Sequence, residues 1–399
     1  MRSFQSSLLL TLCLAFSFDA YASSQPPVTF DQIAKLIAPD GAANDEFGNS
    51  VAIDGNTIVV GKNEGAVQSA FVYENNSGVV TEIAELTPSD GLAGDHFGYS
   101  VAISGNVIAV SASKHANKNP ENTGSVYVYV EPAGGWADMT ETAELNLGQA
   151  GAAIGQTIGT NGSEVVSTAA TSTGDTVVVW NQPTGGWGNS SKPNAELLGD
   201  GYALTNVAIS GDVIVAGAPQ AYEYYGSTFL YVKPASGWNK IGITPTARLV
   251  GTGPDSGGGI AVAISGNTVV SSTGTSVYVF VKPSSGWANM NQTATLTDAN
   301  AYPELDALSV SGGTVVAGDP AQLVGVNPGQ GAAFVFLEPS GGWKNLTSPN
   351  AELTADDGNI GDNLGTAVGV SGGTVVAGAP LAAIGSNTEQ GAAYVFAQQ

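Results

Sequence analysis

Ser100-Val101-Ala102-Ile103-Ser104-Gly105-Asn106-Val107-Ile108-Ala109-Val110 is the stretch from which the fold is read. Small and apolar residues run into Ser-Gly-Asn, and a second apolar run leads away from it. Gly followed by Asn between two such runs signals a tight β-hairpin. The same turn recurs, centred on Gly55, Gly105, Gly162, Gly211, Gly266, Gly312 and Gly372. Its period of about 50 residues points to a solenoid or a propeller. A second anchor, Ala-x-Leu, also occurs seven times, starting at Ala34, Ala84, Ala143, Ala195, Ala247, Ala294 and Ala351.

Each unit reads as four strands. The first is small and apolar, as in Ser100–Ile103. The second is β-branched, as in Thr374-Val375-Val376. The third alternates and is aromatic, as in Val126-Tyr127-Val128-Tyr129-Val130, and the fourth is the short Ala-x-Leu piece. Period-two alternation and enrichment in Val, Tyr and Phe argue for strands, and no amphipathic helical pattern competes with them. Small residues suit a crowded inner position and aromatic residues a wider outer layer. The pattern therefore predicts an all-β, seven-bladed β-propeller of four-stranded antiparallel blades. The last unit stops after its third strand, Ala393-Tyr394-Val395-Phe396, whereas Ala34-Lys35-Leu36 precedes the first inner strand. The N-terminal strand is thus expected to complete the last blade and remove an open edge.

Composition narrows the function. The chain has 399 residues, a formal charge of -23, 43% hydrophobic and only 11% charged side chains, and 54 glycines. This excludes charge-driven disorder and a basic nucleic-acid binder. Residues 1–22 read as a secretory signal peptide, with Arg2, an apolar run from Leu8 to Phe18 and the small-x-small site Ala20-Tyr21-Ala22. That run is too short to span a bilayer. Residues 23–399 are expected to form one domain, secreted or at the cell surface or periplasm, monomeric and without a membrane span. The sole cysteine, Cys13, lies in the leader, so neither a disulfide nor a thiolate zinc site is expected in the mature chain.

Phe47-Gly48 and Phe97-Gly98 open inner strands, and Gly217-Ala218-Pro219 and Gly378-Ala379-Pro380 close second strands. With the loop Asp90–Gly98 and the ending Gly391–Phe396, these residues resemble FG-GAP repeats, the units of the integrin α-subunit propeller and of many secreted bacterial proteins. The resemblance is strong in units one, two and seven, and weaker in units three to five. It implies a propeller, a binding role and no catalysis. Relatives of the integrin type carry calcium in a D-x-D-x-D-G loop. Here the corresponding turns span about two residues and that motif is absent from the sequence, so calcium is not expected to be required, and no other cofactor is expected.

Acidic loops precede several inner strands: Asp40 with Asp45, Asp90 with Asp95, and Asp356 and Asp357 with Asp362. Asp90, Asp95, Asp356 and Asp362 are candidate metal ligands, but Asp also caps turns, and the residues alone leave both readings open. The repeated Pro-x-Gly/Ser-Gly-Trp turn presents Trp136, Trp187, Trp238, Trp287 and Trp343, each expected to pack locally. The least repetitive loops lie between second and third strands, where variable loops on a constant scaffold suit binding. Their candidate contacts are Lys114, His115 and Lys118 in one loop and Tyr222, Tyr224 and Tyr225 in another. The leading expectation is a secreted, non-catalytic binding or adhesion scaffold that contacts protein or glycan through these loops. The alternatives are a glycan hydrolase or lyase using carboxylates at the central channel, and a purely structural extracellular protein.

Overall fold

The computed structural model describes residues 28–116, 123–149, 151–224, 226–252, 258–298 and 304–399. Residues 1–22, expected above to be a signal peptide, and Lys118 and Tyr225 lie outside the described residues. Seven small sheets follow one another around an axis. In blade 1, the inner strand Val51–Asp54 pairs with Thr57–Lys62, then with Ser69–Asn76, then with Val79–Thr87. Blade 2 repeats this with Phe97–Ser104, Val107–Ala112, Ser125–Val130 and Ala143–Leu145. The ring closes as the sequence implies: Phe30–Leu36 runs antiparallel to Ala392–Gln398, from Phe30 opposite Gln398 to Leu36 opposite Ala393. One helix is present among the described residues, the single turn Ala221–Tyr224, and no helix there is long and apolar enough to cross a membrane.

The uniform count of four strands needs correction, because three blades carry a fifth. Met139–Thr140, Ile241–Ile243 and Met290–Asn291 each pair in parallel with the outer strand of the preceding blade. These residues follow the Trp turns. The chain leaving each turn reaches back across the seam and covers a strand edge that would otherwise stand open. The indoles are buried with it, from fully enclosed Trp238 to Trp136 and Trp287 at 9% exposure.

The Phe-Gly and Gly-Ala-Pro pieces have one physical explanation. Phe97 points into its own blade and meets Tyr127 edge-on, with ring centroids 5.5 Å apart, and Phe47 meets Phe71 in the same way at 5.8 Å. The glycine points to the preceding blade. Gly48, at φ 94°, lies against Gly378, where an added Cβ would stand 1.8 Å from the Gly48 carbonyl oxygen. The same backbone-to-backbone approach joins Gly98 to Gly61, Gly259 to Gly217 and Gly365 to Gly318. At the seam between blades 2 and 3, Ser111 stands opposite Gly155 instead. On the opposite face the turns form a belt around the axis. Gly55 N donates to Ser371 Oγ, Gly105 N to Asp54 Oδ2, and Gly266 N to Ser210 Oγ, at 3.0, 2.7 and 3.1 Å.

Candidate binding face

Register decides which loops share a face. The start of each inner strand lies beside the end of the second strand, as Asn206 opposite Gly217 and Ala307 opposite Gly318. The acidic loops and the variable loops therefore emerge together around the mouth of the central channel. This mouth is a funnel of about 430 Å³ lined by polar groups, among them Asn49, Tyr99, Gln156, Asn206, Asp306 and Thr366. Burial, with Glu304 adding, raises the Asp306 carboxyl above the usual range.

The acidic loops are built as capped turns. The carboxylates of Asp45, Asp95 and Asp362 accept hydrogen bonds from the backbone N–H three residues earlier, at Ala42, Leu92 and Asn359, each at 2.8 Å. All three are buried. The outer carboxylate of each loop is Asp40, Asp90 or Asp357. Asp356 stands aside, its backbone N–H donating to Gln32 Oε1 at 3.0 Å. Lys62, 1% exposed, donates to both oxygens of Asp40 and lies 3.8 Å from Asp45. Lys35 donates to Asp357 at 2.6 Å. Asp357 is held below the usual carboxylate range by the Lys35 and Tyr394 hydrogen bonds, which outweigh its burial, whereas burial pushes Asp362 up.

The candidate contact residues divide. Lys114 is exposed and its Nζ lies 2.8 Å from His96 Nε2. Burial, reinforced by Lys114, holds the His96 ring below the usual histidine range against the pull of Glu64. His115 turns inward at 5% exposure, with Nδ1 2.8 Å from Asp95 Oδ2, so the structure places it beneath the face rather than on it. Tyr222 is half-buried. Its ring lies tilted against Tyr202, with centroids 4.7 Å apart, and carries the Arg248 guanidinium 3.4 Å above its face. Tyr224 ends the short helix.

Sequence reasoning missed the apolar part of this face. Val67, Leu323 and Val326 on variable loops, and Leu92 and Ile360 on acidic loops, are 55% to 87% exposed. Val67 and Leu92 flank a groove of about 230 Å³ that also reaches Pro88 and Phe97. The available signal was a large apolar residue inside a Gly- and Asp-rich loop, where nothing in the repeat requires one.

Comparison with known proteins agrees with this architecture. The family model described as FG-GAP repeat matches residues 30–73, 80–129 and 348–396. No curated protein matches the chain. Among solved structures, the WD40 beta propeller domain of Doa1 is similar in fold, at 10% identity and a TM-score of 0.53, covering 93% of this chain and 97% of that one. The computationally designed Ika8 protein aligns at 16% identity and a TM-score of 0.49, covering 92% and 99%.

Proposed function

Taking the chain as an FG-GAP repeat protein closed into a seven-bladed propeller, we propose that it is a secreted, non-catalytic scaffold that binds an extracellular protein or glycan through its variable-loop face. The observation that carries this reading is the set of exposed apolar side chains, Val67, Leu92, Leu323, Val326 and Ile360, on loops of the face that opens into a polar funnel. Apolar side chains held out on rigid loops beside polar groups are the material of a recognition surface. Tyr222 adds an aromatic anchor already braced by Tyr202 and Arg248. A binding role is also favoured over glycan cleavage by the funnel's acid content. Glycoside hydrolysis ordinarily uses two carboxyl groups, and Asp306 is the one carboxylate among the described lining residues. The leader-like residues 1–22 support export.

The test screens the protein against panels of matrix proteins and polysaccharides, with a polysaccharide-turnover assay run in parallel. A hit should be weakened at least about tenfold by Leu92→Asp with Val67→Asp, or by Tyr222→Ala, with the melting curve little changed, because interface anchors concentrate binding energy. Turnover of a polysaccharide, or binding lost instead through residues of the Ser-Gly turn belt, would overturn the reading.

A further inference from the structure

Blades 1, 2 and 7 present three versions of one acidic corner. Each has an outer and an inner carboxylate five residues apart, next to the third strand and the outer strand of the same blade. In blade 7, Tyr394 Oη donates to Asp357 at 2.9 Å, and Lys35, opposite Tyr394 in register, places its ammonium on the same carboxylate. In blade 1 the cation is Lys62, enclosed between Asp40 and Asp45. In blade 2 the tyrosine is kept, with Tyr127 Oη donating to Asp90 Oδ1 at 2.8 Å. The residue opposite Tyr127, however, is Glu144, so a carboxylate stands where blade 7 has its lysine. Between Asp90 and Asp95 stands the His115 imidazole, 3.6 Å from the first carboxylate and 2.8 Å from the second.

The imidazole is oriented for a further task. Its Nδ1 faces the buried Asp95 carboxylate at 2.8 Å. This favours the tautomer with the proton on Nδ1 and leaves the Nε2 lone pair directed outward. Nε2 lies 3.6 Å from Asp90 Oδ2, and one ligand atom from each of His115, Asp90 and Glu144 falls within 4.8 Å of the others. With the proton on Nδ1, the Nε2 lone pair beside Asp90 is available to a cation. Each of the three groups is also held from behind: His115 by Asp95, Asp90 by Tyr127, and Glu144 by Ser125 Oγ, which donates to Oε1 at 2.7 Å. A carboxylate behind a histidine, with hydrogen bonds behind the ligating carboxylates, is the usual support of a metal centre.

We propose that blade 2 binds a divalent transition-metal ion between Nε2 of His115 and the carboxylates of Asp90 and Glu144, where blades 1 and 7 carry a lysine ammonium. One imidazole with two carboxylates suits zinc, cobalt or manganese better than calcium, which takes oxygen ligands only. Zinc ligands lie about 2.0–2.2 Å from the ion, so the corner closes by about 1 Å around it. Asp90, with a side chain 48% exposed, is free to make that movement.

The test uses the untagged protein stripped by chelator, titrated with Zn²⁺ by calorimetry and with Co²⁺ by its visible absorption. One ion should bind per chain, and the melting temperature should rise with Zn²⁺. Glu144→Gln and Asp90→Asn should weaken binding about tenfold or more, and Asp95→Asn, which acts through the histidine, should weaken it by about 10- to 100-fold. Glu144→Lys should abolish binding while the protein stays folded, because it recreates the corner of blade 7. His96→Gln should leave binding unchanged. The proposal is overturned if the wild type takes up neither ion at millimolar concentration, or if Glu144→Lys binds as the wild type does. Wild-type affinity in both Glu144→Gln and Asp90→Asn would overturn it as well.

Discussion

Replacing Gly378 with Ala tests whether the repeat motif exists to bring neighbouring blades into backbone contact. The backbone at Gly378 is not left-handed, so the change carries no conformational penalty and the effect is purely steric. The new Cβ would lie 1.8 Å from Gly48 O and 2.9 Å from Gly48 C, whereas ordinary contacts begin near 3.4 Å. The blades must part by about 1.5 Å, and neither side yields easily. Gly378 is fixed in register between Ala367 and Ala393, and Gly48 N donates to Gly61 O at 3.0 Å. Overpacking of this kind costs about 1–3 kcal/mol, and a buried methyl returns only about 0.8 kcal/mol. Because the obstacle is backbone, the loss should sit near 3 kcal/mol. Gly134→Ala is the control: it has open space around it and should stay within about 0.5 kcal/mol of wild type. Urea denaturation midpoints, with slopes compared, report the difference. Equal midpoints for Gly378→Ala and Gly134→Ala would refute the account of the seam.

Deleting residues 28–36 removes the strand opposite Ala392–Gln398 together with buried Leu36. This should cost on the order of 5 kcal/mol in chemical denaturation, from lost ladder hydrogen bonds and apolar burial. Trp238→Ala should cost about 3–5 kcal/mol. Trp238→Phe should cost clearly less, because the indole N–H is buried without a hydrogen-bond partner and its loss relieves a penalty. Asp319 is 1% exposed, has Oδ2 unpartnered and is raised above the usual carboxylate range, mainly by burial. Its charged form therefore destabilises the fold at neutral pH, and protonation removes that cost as pH falls through the raised value. Asp319→Asn should melt higher than wild type at pH 7, and the gap should narrow on acidification. Millimolar calcium should leave the melting temperature unchanged, because the hairpins after Asp54, Ser104 and Ser210 are two residues long and cannot wrap that ion.

The ring was legible because its signals are local and repeated. A Ser-Gly-Asn turn needs few neighbours to be read, and the position of Ala34-Lys35-Leu36 ahead of the first inner strand already implied closure. The fifth strands were not legible. Met139, Ile241 and Met290 look like packing partners of the nearby indoles, and only the neighbouring blade turns them into edge cover. The candidate face was readable as a set of loops but not as chemistry. His115 looks like a loop cation in sequence, yet the turn capped by Asp95 draws it inward. Glu144 is a routine Ala-x-Leu insert until the register sets it opposite Tyr127.

The seventh blade is assembled from two segments far apart in sequence, Phe30–Leu36 and Ala392–Gln398. During synthesis the earlier blades can form in turn as their strands leave the ribosome, but Phe30–Leu36 has no partner until Ala392–Gln398 has been made. Until then the molecule is an open arc with two unpaired rims, and one missing strand separates it from the finished ring. Pairing so distant in sequence is slow to form, and exposed rims recruit other chains. The interval before closure is therefore when this protein is most exposed to end-to-end association with its own copies. A helper that shields the arc would protect the chain through that interval.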